Sequence, residues 1–94
     1  MTRLLEQKRT EILQIAAKHG ARNVRVFGST ARGSATDDSD VDILVELDDG
    51  RSLLDQVGLQ QELEELLGRK VDVVVEGGIS PHLEDRILSE AVPL

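Results

Sequence analysis

Ninety-four residues carrying 18 acidic against 11 basic side chains, a formal charge of −7 and a single aromatic residue, Phe27, weigh against tight nucleic-acid binding. The charge repels a phosphate-rich polymer, and one ring makes no platform for the exposed bases of a nucleic-acid strand. With no cysteine there is neither a disulfide framework nor a thiolate metal site, and the charged first twenty residues hold no apolar leader or membrane span, so the expectation is one cytoplasmic domain, residues 1–94, with no membrane association.

In chain order, residues 2–19 place Leu5, Ile12, Ile15 and Ala16 on one face, which predicts an amphipathic helix ended by Gly20. The β-branched run Val24-Arg25-Val26-Phe27 predicts a strand at about 23–27. Gly28 permits a tight turn. A short helical turn through Thr30, Ala31 and Arg32 then presents its N-terminus, with the Ser29 hydroxyl, to a phosphate. After a polar Gly- and Ser-rich loop comes a second strand at 40–47. Its pleat puts Val41, Ile43, Val45 and Leu47 on one face and Asp40, Asp42, Leu44 and Glu46 on the other.

Asp48-Asp49-Gly50 predicts a turn, and Ser52 a cap for a helix to about Leu67, with Asp55 in its first turn and Gly68 beyond its end. Its expected apolar set is Leu53, Leu54, Val57, Leu63, Leu66 and Leu67. A third strand, Lys70–Val75, sets Val71, Val73 and Val75 against Asp72 and Val74, and Ser80-Pro81 starts a last helix to about Ser89. The expected class is therefore α/β (α+β), a small mixed sheet flanked by helices.

A phosphate-holding turn beside a carboxylate pair suits metal-assisted phosphoryl or nucleotidyl transfer. If Asp40, Asp42 and Asp72 converge, each like-charged pair at about 4 Å repels by roughly 4 kcal/mol at an effective dielectric near 20. A divalent cation removes that repulsion. Mg²⁺ prefers oxygen ligands, and two such ions about 4 Å apart clamp an in-line displacement. Each residue also has an ordinary reading. Asp40 and Asp42 suit a solvated strand face, Asp72 an edge strand, and Gly28-Ser29 a plain strand-to-helix turn. Arg32 either grips a triphosphate or lies solvated; Ser39 either bonds near the metal or starts the strand. Arg69 and Lys70 either offset local acidity or touch the nucleotide, and His19 and His82 lack metal-cluster spacing and are expected at the surface.

The ordered set Phe27-Gly28-Ser29, a spacer of residues 30–39, then Asp40-Val41-Asp42-Ile43, with Asp72 on a later strand, resembles the signature of the DNA polymerase β-type nucleotidyltransferase superfamily. At this length the chain is similar to its minimal nucleotidyltransferases, the MNT group paired with HEPN-domain proteins in toxin–antitoxin systems. The resemblance implies a polymerase β palm-like fold, Mg²⁺ (or Mn²⁺) as cofactor, ATP as substrate and Asp40, Asp42 and Asp72 as catalytic metal ligands. Asp72 would stand on the acceptor side and help take the proton from the attacking hydroxyl. It further implies AMP transfer to a hydroxyl, often of tyrosine, on a cognate HEPN ribonuclease toxin, with this chain as antitoxin. Since the chain lacks an acceptor-binding lobe, a partner or an oligomer must supply that surface. The rival reading is a non-catalytic module that neutralises its partner by contact. Transfer to an antibiotic or an RNA end lacks the extra domain and basic surface it needs.

Overall fold

The strand rich in β-branched residues between Val41 and Leu47 is fully buried at Val41, Ile43, Leu44 and Val45. Such a run belongs inside a sheet. The computed structural model describes residues 2–32, 40–78 and 80–94. In chain order these form α1 (Thr2–Lys18), β1 (Ala21–Phe27), α2 (Gly28–Arg32), β2 (Val41–Leu47), α3 (Leu53–Leu67), β3 (Val71–Val75), α4 (Pro81–Glu90) and β4 (Val92–Pro93). The strands lie in the order β3-β2-β1-β4, with β2 parallel to β3 and antiparallel to β1, and β4 antiparallel to β1. This is the mixed sheet that the strand patterns predict. No described helix is long and apolar enough to cross a membrane.

One sheet face carries the core. Val26, Ile43 and Val73 are register partners across β1, β2 and β3, and all three are buried. They join a cluster with Leu5, Ile12 and Ala16 of α1 and Leu59, Leu63 and Leu67 of α3. In α3 the Ser52 hydroxyl accepts from the Leu54 N–H (3.2 Å) and the Asp55 carboxylate accepts from the Ser52 N–H (3.2 Å). The helix stops at Gly68, whose φ of +67° is left-handed.

The expected apolar face of α3 is corrected. Leu53 and Leu54 are 70% and 82% exposed, and Val57 also faces out, whereas Leu59 is fully buried. At about 100° per residue, Leu54 falls opposite Leu63 and Val57 about 120° from it, so helical phase overrides hydrophobicity. A second stripe of α3 faces the outer edge of β3. Gln56 donates to the Val73 carbonyl (2.8 Å), Gln60 accepts from the Val73 N–H (3.4 Å), and Glu64 accepts from the Val71 N–H (3.1 Å).

Other expectations also shift. β1 begins at Ala21 because Asn23, at φ +52°, accommodates a register break between Arg22 and Arg25; Asn tolerates this left-handed conformation, and such bulges lengthen strands past polar residues. β4 adds a strand that the sequence does not announce, since two residues, one of them proline, carry no strand pattern. Long-range bonds hold that segment: the Leu94 N–H donates to the Val24 carbonyl (3.1 Å), and Arg9 Nε to the Leu94 carbonyl (3.0 Å). His19, expected at the surface, is mostly covered and bonds Glu62, while His82 is exposed as expected.

Candidate functional site

Strand register assembles the site. Phe27 on β1 pairs with Asp42 on β2, and Asp42 pairs with Asp72 on β3. Register partners share a sheet face, so these three side chains form a row on the face opposite Val26, Ile43 and Val73. Asp42 is partly buried, Asp72 exposed at the sheet edge, and Asp40 exposed immediately before β2. Burial pushes the Asp42 carboxyl above its ordinary range, and the negative charges of Asp72 and Asp40 push it further, against a smaller opposing effect of Arg32.

The Gly28 turn is fitted to this row. Gly28 has φ +66°, and a Cβ placed there would lie 2.5 Å from Asp42 Oδ2. The backbone conformation therefore calls for glycine, and a larger residue would also push the Asp42 carboxylate aside. From this turn α2 carries Ser29, partly buried, and Arg32, which donates from Nη1 to Glu90 Oε1 of α4 at 3.1 Å. Ser39 lies outside the described residues. Arg69 is partly buried and Lys70 exposed at the entry to β3, where the Lys70 carbonyl accepts from the Val41 N–H (3.0 Å).

Behind the row, Arg25, Leu44 and Val74 form the next line of register partners. Leu44 is fully buried and Arg25 is 9% exposed, its guanidinium bonded to the Asn23 carbonyl (3.0 Å) and to both Glu76 carboxylate oxygens (3.4 and 3.2 Å). The carboxylate face thus passes from a wet end to a closed one. Sequence reasoning missed Arg25 and also left Phe27 outside the site. A cation inside a β-branched run was the available signal for Arg25. Pleat parity with Asp42 was the one for Phe27, but it needs the register to be known.

The donor set is all oxygen, which suits a hard divalent cation, and the side-by-side Asp42 and Asp72 give such an ion a place to bind. Among the described residues no three acidic, histidine or cysteine side chains are gathered so as to hold a metal ion, so the expected convergence of Asp40 with Asp42 and Asp72 is not seen. A cavity of about 410 Å³ elsewhere is lined by Leu5, Arg9, Val26, Thr30, Val92 and Leu94 among others, and by none of the row carboxylates.

A family profile for the nucleotidyltransferase domain matches residues 8–94. A relative from Methanocaldococcus jannaschii, provisionally named a protein adenylyltransferase, is 49% identical over 88 residues, covering 94% of this chain and 95% of its own. The protein adenylyltransferase MntA of Thermococcus cleftensis is 40% identical over 79 residues, covering 84% of this chain and 80% of its own. Among solved structures, one provisionally described as a minimal nucleotidyltransferase superposes with TM-score 0.87 at 51% identity, covering 96% of this chain and 92% of that one. A toxin–antitoxin structure with AMP-PNP shares the fold, with TM-score 0.78 at 23% identity over 89% of this chain and 69% of that one.

Proposed function

The chain belongs to the nucleotidyltransferase domain family, and we propose that it transfers AMP from ATP to a hydroxyl of a partner protein, acting as the antitoxin of a HEPN ribonuclease toxin in the cytoplasm. The observation that carries this reading is the register of Asp42 with Asp72, with Gly28 packed against Asp42. Relatives named as protein adenylyltransferases support the protein acceptor, and a fold shared with a toxin–antitoxin structure holding AMP-PNP agrees with the toxin and the nucleotide.

In this reading the Ser29 hydroxyl and the N–H groups opening α2 hold the ATP phosphates, with Arg32 adding a cation beside them. Asp40, Asp42 and Asp72 hold Mg²⁺, which when bound supplies Lewis-acid charge to the reacting phosphate. The acceptor hydroxyl oxygen bonds to the α-phosphorus, the bond to the β-phosphate oxygen breaks, and pyrophosphate leaves. Asp72, exposed at the row's end, receives the hydroxyl proton. The partner presents the acceptor hydroxyl to the Asp72 side of the row.

Intact-mass spectrometry tests this directly. The chain mixed with its partner, ATP and Mg²⁺ should add one or more AMP units to the partner. Inhibition with no mass change, retained by a variant with both Asp40 and Asp42 replaced by Asn, would overturn it in favour of neutralisation by contact.

A further inference from the structure

We propose that Phe27 is the surface against which the donor nucleoside packs, an inference that rests on the nucleotide-transfer reading above. The chain has no tryptophan or tyrosine and one phenylalanine, so this is its single ring able to lie against a base. Register places that ring beside Asp42 on the carboxylate face, away from the core, and directly opposed positions hold their Cβ atoms only about 5 Å apart. Phe27 is partly exposed, unlike its core-facing neighbour Val26.

Order across the row distinguishes the two substrates. Asp72 is on the β3 side of Asp42 and Phe27 on the β1 side. Gly28 and Ser29 follow Phe27 directly, so a phosphate held at that turn carries its nucleoside within a residue or two of the ring. The next line inward is shut by the buried Leu44 and the Arg25–Glu76 pair, which turns the nucleoside along the row instead of deeper into the sheet. Phe27 is in this sense a specificity residue for the nucleoside, whereas the turn serves any polyphosphate.

The chain offers a clean optical test. Phe27→Trp creates a protein with one tryptophan, whose emission should be quenched on titration with ATP and Mg²⁺ but not with inorganic tripolyphosphate and Mg²⁺. Phe27→Leu, which keeps an apolar side chain, should bind ATP about tenfold more weakly, the loss of one base–aromatic contact, with tripolyphosphate affinity unchanged. If wild type gains thermal stability from ATP and Phe27→Leu gains as much at every concentration, the nucleoside does not touch Phe27 and the transfer reading stands without it. Quenching by tripolyphosphate as full as that by ATP would overturn the role of Phe27 in the same way. If wild type binds no nucleotide in the presence of its partner, both readings fall. Should Phe27→Trp fail to fold, the Phe27→Leu titrations decide the matter.

Discussion

Gly28 and Asp42 are mutually constrained: the glycine's missing Cβ is the space in which the Asp42 carboxylate oxygen sits. Gly28→Ala should therefore do two kinds of damage. Forcing a non-glycine residue to φ +66° costs about 1–2 kcal/mol, which urea denaturation measures. Displacing the carboxylate should lower the transfer rate on the order of 100-fold, well beyond what the stability loss explains. A variant that is destabilised yet fully active would show that Asp42 tolerates displacement.

Asp42→Asn should stabilise the protein free of metal while abolishing transfer. The carboxyl is shifted upward in the folded state by burial, then by Asp72 and Asp40, so the folded form binds its proton more tightly than the unfolded chain. Stability from this group is fully present below the unfolded aspartate value. It is lost as pH rises through the window up to the raised folded value. Across that window the melting temperature of wild type should fall relative to that of Asp42→Asn, and the difference should shrink once Mg²⁺ occupies the site. A parallel decline in both proteins would assign the pH dependence elsewhere.

ATP with Mg²⁺ should raise the melting temperature, since a ligand at about 100 times its Kd stabilises the folded state by roughly 2.7 kcal/mol. A chelator should remove most of that gain and all of the transfer, returning the protein to its ligand-free melting point without unfolding it. Calorimetry with and without chelator measures both.

Ser29→Ala should lower kcat/KM for ATP on the order of tenfold, the worth of one hydrogen bond to a charged group. The rate loss should exceed what any change in thermal stability explains. An unaltered rate would confine Ser29 to shaping the turn.

Leu59 and Leu54 of α3 make a contrasting pair. Leu59→Ala removes a fully buried side chain and should cost about 2–5 kcal/mol, whereas Leu54→Ala, at an 82% exposed position, should fall within about 0.5 kcal/mol of wild type. Chemical denaturation of the two variants measures the difference.

That pair also marks where the sequence stops being legible. Features set by a residue and its near neighbours were readable: the Ser52 cap, the Gly68 stop, the Gly28-Ser29 turn and the alternation that sets Asp42 and Asp72 opposite valines. Features made by residues distant in the chain were not. Arg25 meets Glu76 across 51 positions and His19 meets Glu62 across 43, and neither partner signals the other locally. β4 exists because β1 has a free side, which a two-residue segment cannot announce. In α3 the phase that buries Leu59 is set by packing against α1 and the sheet, which the hydrophobic first turn does not reveal. At the site, the turn and Asp-Val-Asp were visible as motifs, while the place of Phe27 in the same row required the β1–β2 register.

The side-chain stripe of Gln56, Gln60 and Glu64 along β3 bears on how the protein can assemble. An unsatisfied strand edge invites another chain to extend the sheet. Here the outward amides of Val71 and Val73 are already answered by a helix of the same molecule, so growth at this border would first have to peel α3 away. The acid between those valines benefits. Asp72 turns its backbone to β2 and its carboxylate to solvent, and with the border sealed by side chains it remains the outermost group of its row, never roofed by a neighbouring strand.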